Sequence, residues 1–204
     1  MNDLTIVLQA GGKSSRMGRD KALVPFMGVT MIEYILEQVK ELGNDTIIIT
    51  NRPDDYRFLG FPLYSDVIPN WGALGGLYSA IYHASQDACL VLACDMPFIN
   101  RPLLEYSIAL LPGHDAVIPR LDPTGSDIPV FAEPFRAIYR KTCLTPIKTA
   151  IDADQRRVIS FFDKVSIRFV DYAEIKRFDP DARSFFNVNI PEDLVKAEQI
   201  AQGR

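Results

Sequence analysis

The chain has 204 residues, of which 48% are hydrophobic and 24% are charged, and its formal net charge is −4. This size and composition are typical of one globular domain with a substantial core, so we expect a single domain over residues 1–204. The acidic balance argues against a general basic surface for nucleic acid or for anionic membranes. No apolar stretch reaches membrane-spanning length, and the first three residues lack the positive start of a secretory signal.

The cysteines favour a reducing compartment, and we expect a cytoplasmic protein. Cys89, Cys94 and Cys143 are odd in number and have no C-x-x-C spacing, which argues against disulfides and against structural zinc. The first two lie in an apolar run and are expected to be buried.

The first strand leads into a loop rich in glycine and cations. The apolar run Leu4 to Leu8 predicts a buried strand, and ligands bind at the carboxyl ends of strands in open α/β folds. Backbone N–H groups of Gly11 and Gly12 can approach an anion closely. Arg16 and Lys21 supply cationic donors suited to phosphate. A flexible polar turn is the alternative interpretation.

Two common phosphate-binding loops do not fit this segment. Gly11 and Gly12 are adjacent, which excludes the G-x-G-x-x-G fingerprint. Five residues separate Gly12 from Gly18, and no Lys-Ser or Lys-Thr pair follows, which excludes the Walker A loop.

The next segment predicts a parallel unit. Apolar residues from Met31 to Leu42 recur at helical spacing, and Gly43 is expected to form a left-handed cap. Thr46 to Thr50 predicts a second buried strand, which places Asn51 at the same sheet edge as the glycine loop. An amide there, in place of an acid, argues against a nicotinamide enzyme, although asparagine is also a common turn residue.

Two aspartates follow later strands. Pro62 to Asp66 predicts a short strand that ends in the acid, and a loop from Trp71 to Leu77 leads into a helix. Cys89 to Cys94 predicts a further buried strand, and Asp95 follows it directly. A carboxylate at that edge can hold Mg²⁺ together with substrate phosphates. The alternative is a capping aspartate before Pro97.

The second half of the chain predicts further helices, strands and polar groups. Arg156 and Arg157 are suited to a phosphate or an acidic partner, or to solvent alone. Asn187 and Asn189 alternate, so on a strand they would share one face that can meet a substrate; the alternative is that they only end the strand. The connector 121–127 is expected to cover a second substrate. The remaining predicted elements are helices at 103–111 and 134–143, strands at 116–119, 128–132 and 167–170, and a helix that begins at Pro191.

The segment from Ala10 to Leu23 matches A-G-G-x-S-x-R-M-G-x-D-K-A-L and resembles the signature of the molybdenum cofactor guanylyltransferases. Further matches span nearly the whole chain, near residues 51, 66–77, 94–98, 156–162 and 185–194. The sequence departs from the family at several places, one of them Ile128, where the family often has a polar residue, so that a substrate contact is expected to be missing. Four others are substitutions of a usual family residue. These are Gln9 for Leu, Ala73 for Pro, Gly75 for Ala and Ile190 for Thr.

The resemblance implies an α/β, Rossmann-like three-layer nucleotidyltransferase fold with a mixed, largely parallel central sheet. Residues 1–100 would form a nucleotide-binding half and residues 101–204 an acceptor-binding half. The implied reaction transfers GMP from GTP to the phosphate of molybdopterin or molybdenum cofactor, with Mg²⁺, and releases pyrophosphate. Proteins of cofactor synthesis or of molybdoenzyme maturation are the implied partners.

The resemblance also implies roles for individual residues. Arg16, Lys21 and Asp95 would be catalytic, and Asp95 would bind the metal. Asn187, Asn189 and Arg156 would bind the acceptor. Gln9, beside the expected base pocket, would alter base selectivity or pair with a core group. The implied GTP-binding residues are Gln9, Ala10, Gly11, Gly12, Lys21, Asn51, Asp66 and Asp95.

Three other functions remain open at this point. The double glycine favours guanylyl transfer, because the cytidylyl relatives usually carry A-A-G. Nucleotidyl transfer to a sugar phosphate is disfavoured, because the G-x-G-T-R pattern of those enzymes is absent. A carrier that binds the cofactor without turnover is disfavoured by the presence of both Lys21 and Asp95.

Overall fold

A seven-stranded sheet forms the centre of the computed structural model, which describes residues 3–11, 20–122 and 132–203. Its strands lie in the order β5-β4-β1-β6-β8-β7-β9. They are β1 (Leu4–Gln9), β4 (Asp45–Ile49), β5 (Leu63–Tyr64), β6 (Ala88–Ala93), β7 (Ala116–Pro119), β8 (Arg136–Arg140) and β9 (Ile167–Val170). A separate hairpin pairs β2 (Pro25–Phe26) with β3 (Val29–Thr30).

The sheet is mixed and largely parallel, as predicted. Strand β1 pairs in parallel with β4 on one side and with β6 on the other, and Gln9 lies in register with Ile49 and Ala93. Strand β8 runs antiparallel to both of its neighbours, whereas β9 is parallel to β7. The carboxyl ends of β1, β4 and β6 therefore meet at one edge of the sheet.

Helices cover both faces of the sheet, which confirms the three-layer arrangement. Side chains alternate along a strand, so Leu4, Ile6 and Leu8 face one layer while Val7 faces the other. The first layer contains α1 (Met31–Val39), α3 (Arg101–Ala109), α5 (Tyr172–Ile175) and α6 (Pro191–Ala201), and the second contains α2 (Gly72–His83) and α4 (Leu144–Asp152). Within the described ranges, no helix is both long and apolar enough to span a membrane.

Helix α1 ends earlier than predicted, and the predicted left-handed cap at Gly43 is wrong. The helix begins at a capping box, in which Thr30 and Glu33 bond each other's backbone N–H groups, and it ends at Val39. Gly43 does not have a positive φ. A Cβ atom there would lie 2.4 Å from the carbonyl oxygen of Leu4, so close backbone packing requires this glycine.

The predicted helix over 134–143 is also wrong. This segment contains strand β8 and then a short 3₁₀ turn, Lys141–Cys143, before α4. Residues 136–139 are all buried, because β8 lies between β6 and β7 and is covered on both faces. A strand that is buried on both faces loses its alternating pattern, and the arginine at its start obscures the apolar run.

Other expectations have mixed outcomes. Helix α2 already begins at Gly72, within the predicted loop.

All three cysteines are buried, as expected for the first two, and burial raises the pKa of Cys143 to about 12. The connector 121–127 and the strand at 128–132 lie largely outside the described residues. Ala132, which is described, forms an antiparallel bridge to Arg120.

Candidate active site

A cavity of about 570 Å³ opens at the carboxyl edge of β1, β4 and β6. Gly11 begins the glycine loop with a φ of 113°, which other residues rarely adopt, so the chain turns there away from the sheet. Gly12 and Arg16, which the sequence predicts to contact phosphate, lie outside the described residues. The predicted residues that line the cavity are Gln9, Ala10, Gly11, Lys21, Asn51, Asp66 and Asp95.

Lys21 links the two halves of the chain at this cavity. Its Nζ atom lies 3.4 Å from Asp95 Oδ2 and donates a hydrogen bond of 2.6 Å to Asn189 Oδ1. The side chains of Lys21 and Asp95 are 23% and 28% exposed, so both remain accessible from the cavity. A cation and a carboxylate that both face one cavity suit a substrate that carries phosphate and a divalent metal ion.

Asp20 holds Lys21 in place and was missed by the sequence reasoning. Its side chain is 6% exposed and accepts hydrogen bonds from the Ala22 backbone N–H, the Arg52 guanidinium and the Tyr56 hydroxyl. Burial, with help from Asp20, raises the pKa of Tyr56, which keeps that hydroxyl a donor. The sequence does carry a signal for the role of Asp20: it directly precedes the 3₁₀ turn Lys21–Leu23, and aspartate is a favoured N-cap residue.

Arg136 supports the backbone that carries Asp95 and was also missed. This arginine is 2% exposed, and its guanidinium donates to the carbonyl oxygens of Met96 (2.7 Å) and Phe98 (2.6 Å). Burial lowers its pKa to about 10. On the other side, the backbone N–H of Val188 donates to the carbonyl oxygen of Asp95 at 2.8 Å. The loop after β6 is therefore anchored from two directions.

Asn51 and Asp66 bond each other at the edge of the cavity. Asn51 Nδ2 donates to Asp66 Oδ2 at 2.8 Å, and the Asp66 backbone N–H donates to Asn51 Oδ1 at 3.0 Å. The short pairing of β4 with β5 brings the two residues together. The reciprocal bonds fix both side chains and leave the second carboxylate oxygen of Asp66 available to a ligand.

The three predicted acceptor-binding residues do not form one cluster. Asn189 contacts Lys21, but Asn187 donates only a long bond, of 3.4 Å, to the carbonyl oxygen of Phe185. The backbone at 186–189 is not a strand, so the prediction of a shared strand face is wrong. The guanidinium of Arg156 stacks 4.6 Å from the ring centre of Trp71, outside the cavity lining.

Helix α6 begins without the family's threonine. The Asp193 carboxylate instead accepts bonds from two backbone N–H groups that precede the helix, those of Asn189 (3.0 Å) and Ile190 (3.2 Å). The acid in the first turn thus orders the segment that brings Asn189 to Lys21.

The donor set of the cavity fits Mg²⁺ bound jointly with a substrate. Among the described residues, no group of three or more His, Cys, Asp or Glu side chains is placed to hold a metal ion alone. Asp20 already accepts three hydrogen bonds, and one oxygen of Asp66 accepts from Asn51. Asp95 faces the cavity beside Lys21, and Mg²⁺ is usually held by one or two carboxylates together with substrate phosphates.

Comparison with known proteins agrees with the fold and with the resemblance. A probable molybdenum cofactor guanylyltransferase of Pelotomaculum thermopropionicum is 34% identical over 202 residues, which cover 99% of this chain and 95% of that protein. One of Peptoclostridium acidaminophilum is 32% identical over 203 residues, covering 96% and 89%. The crystal structure of molybdopterin-guanine dinucleotide biosynthesis protein A from Archaeoglobus fulgidus is 26% identical, with a TM-score of 0.81, and the match covers 98% of this chain and 100% of that one. The family model of the MobA-like NTP transferase domain matches residues 6–166. The resemblance expected from the motifs is therefore confirmed, and the chain belongs to the MobA-like NTP transferase family.

Proposed function

We propose that this protein transfers GMP from GTP to the terminal phosphate of molybdopterin or molybdenum cofactor and releases pyrophosphate. The observation that carries this proposal is that Lys21 and Asp95 lie together in one cavity after the glycine loop, while Asn189 bonds Lys21 from the C-terminal half of the chain. Relatives named as probable molybdenum cofactor guanylyltransferases match almost the whole chain, which favours guanylyl transfer over the cytidylyl and sugar-phosphate alternatives.

The chemistry requires positioning and charge neutralisation. The acceptor phosphate is already an oxyanion, so no general base is needed to activate it. Lys21 neutralises charge that develops on the leaving pyrophosphate, and backbone N–H groups from Gly11 and Gly12 bind phosphate oxygens. Arg16 would add a second cation to the same phosphates. The bond between the α-phosphorus and its bridging oxygen breaks as the acceptor oxygen bonds to that phosphorus.

Asp95 would hold Mg²⁺ with the phosphates of GTP. The metal ion, when bound, shields the triphosphate charge and orients it. The ammonium of Lys21 lies beside Asp95 and offsets its charge. With the carboxylate of Asp95 holding Mg²⁺, Lys21 would be free to turn toward the pyrophosphate.

The remaining contacts divide between the nucleoside and the acceptor. Asn51, Asp66, Gln9 and Ala10 would contact the nucleoside, since they line the cavity on the β1, β4 and β5 side. Asn189 would lie closest to the acceptor phosphate, because it contacts Lys21 from the C-terminal half. Asn187 and Arg156 would contact the acceptor farther from the reacting atoms.

The protein would exchange molybdopterin with proteins of cofactor synthesis and molybdoenzyme maturation. The three free cysteines support a reducing cytoplasmic setting, since each is buried as a thiol and none is paired in the described structure.

Pyrophosphate release tests this function. Purified protein with Mg²⁺ and molybdopterin is supplied with GTP, CTP or ATP, and pyrophosphate and the dinucleotide product are measured. We expect turnover with GTP above turnover with CTP and ATP. Preference for CTP would move the function to cytidylyl transfer. Cofactor binding without pyrophosphate release would indicate a carrier.

Asp95→Ala is the decisive variant in this assay. Loss of its carboxylate should abolish turnover and leave the melting temperature close to that of the wild type. Asp87→Ala is the matched control, because Asp87 is an exposed carboxylate that pairs with Arg140 outside the cavity lining. Substantial turnover by Asp95→Ala would contradict the assigned role.

A further inference from the structure

Gln9 is the last residue of β1, at a position where the pattern of the strand predicts an apolar residue. Along β1, Val7 points toward the layer of α2, and Gln9 two residues later points the same way. The amide lies against Gly76 of α2, where a Cβ atom would be 3.1 Å from Gln9 Oε1 and 3.4 Å from Nε2. A side chain at residue 76 would crowd this amide, so the glycine gives it room.

The amide nitrogen of Gln9 is buried and has no hydrogen-bond partner among the described residues. A buried donor without a partner is costly, and a leucine at this place would avoid that cost. Gln9 nevertheless lines the cavity. A donor that no described protein group satisfies, on a side chain that lines the cavity, is available to a ligand acceptor once the amide turns toward the cavity.

The cavity wall beside Gln9 suits a flat, uncharged group. Gly72, Ala73 and Gly76 line it, and these small residues of α2 leave an open face. The charged pair of Lys21 and Asp95 instead marks the phosphate end. A nucleoside triphosphate with its phosphates at Lys21 would thus direct its base toward Gln9.

We infer that Gln9 is a specificity-determining residue, whose Nε2–H donates to the exocyclic oxygen of an oxopurine base. This inference rests on the proposed function and deepens it. Guanine presents the O6 acceptor, whereas adenine carries an amino donor at the same position. With its nitrogen toward the base, the amide favours guanine and opposes adenine.

Binding measurements with three triphosphates test the contact. Calorimetric titrations in Mg²⁺ compare GTP, inosine triphosphate, which keeps O6, and 2-aminopurine riboside triphosphate, which lacks it. The variants are Gln9→Leu, which removes the amide, and Gln9→Glu, which keeps its acceptors and replaces its donor. One neutral hydrogen bond corresponds to a roughly 3- to 10-fold change in affinity.

We expect Gln9→Leu and Gln9→Glu to lower the affinity for GTP and for inosine triphosphate by that factor or more. Gln9→Leu should leave the affinity for the 2-aminopurine nucleotide within twofold of the wild-type value, and it should raise the melting temperature of the protein without nucleotide. Gln86→Leu is the control, because Gln86 lies before the start of β6, at the opposite edge of the sheet.

Two outcomes would overturn the inference while the proposed function stands. One is wild-type affinity of Gln9→Leu for all three nucleotides, which would make Gln9 a core residue. The other is wild-type GTP affinity of Gln9→Glu, which would exclude donation by the amide. Failure of the wild type to bind GTP at all would instead refute the proposed function, and the inference with it.

Discussion

Replacement of Arg136 by methionine tests how the loop after β6 is held. The substitution removes a buried guanidinium and keeps an unbranched side chain of comparable length. It leaves the carbonyl oxygens of Met96 and Phe98 without their donors, the first in a buried position and the second in a partly buried one. Asp95 lies directly before these carbonyls, so its carboxylate loses a fixed position.

The size of the effect follows from the contacts. An unsatisfied buried carbonyl costs about 1–3 kcal/mol, so two of them cost about 2–6 kcal/mol. Loss of the Nε atom of Arg136, which is itself buried without a partner among the described residues, returns about 1–3 kcal/mol. We therefore expect a net loss of about 1–3 kcal/mol in the free energy of unfolding, which lowers the melting temperature by roughly 2–12 °C for a domain of this size.

Urea and thermal unfolding measure this loss, and the control is on the same strand. Arg140→Met removes an arginine that is 31% exposed, pairs with an exposed Asp87 and donates to one partly buried carbonyl oxygen, that of His114, so it should cost less than Arg136→Met. Arg136→Met should also weaken binding of Mg²⁺ with GTP, whereas Arg140→Met should not. Equal destabilisation by the two substitutions would refute the role given to Arg136.

Three further predictions concern the cavity, a tight contact and a buried acid. Lys21→Ala should weaken GTP binding by about tenfold or more in calorimetry, since it removes a phosphate cation, whereas Lys40→Ala, at an exposed pair, should not; unchanged affinity would exclude Lys21 from the site. Gly43→Ala should lower stability in urea more than Gly113→Ala does. The new Cβ atom at residue 43 would lie 2.4 Å from a backbone oxygen, whereas residue 113 has open space around it and only an unfavourable φ of 83°. The reverse order of stability would contradict the packing argument. Burial raises the pKa of Glu133 above its ordinary 4.5, because it disfavours the charged form in the folded state. Glu133→Gln should therefore be more stable than the wild type at pH 7, and this difference in stability should vanish as the pH falls below about 4.5. A stability difference that does not depend on pH would rule out this cause.

The part of the fold that consists of buried parallel strands could be predicted from local patterns. Strands β1, β4 and β6 are continuous apolar runs, and such runs end where polar side chains begin. Asn51, Asp66 and Asp95 could thus be assigned to one sheet edge from the order of residues alone. Their binding roles stay predictions, because the fold fixes where these side chains lie and not what binds to them.

The rest depends on contacts between distant residues. The local sequence around Arg136 does not show that its guanidinium is buried and bonded to two carbonyl oxygens in the loop after β6. The cluster of Asp20 with Arg52 and Tyr56 joins residues more than thirty positions apart, and no spacing rule covers it. The alternation of asparagines at 187 and 189 suggests a strand, but this segment bonds to the Asp95 loop and not to a sheet edge.

The bond between Lys21 and Asn189 has a consequence for the order of events during synthesis. It joins residues 168 positions apart, one near the start of the chain and one near its end. Contacts of such long separation close late, after the entropy of a long loop has been lost. A ribosome-bound chain that has emerged only as far as β6 already contains the glycine loop, yet its lysine has no asparagine to orient it. Binding of GTP at the proposed site would therefore not stabilise an early intermediate through this contact, because the contact forms only after the C-terminal segment has docked.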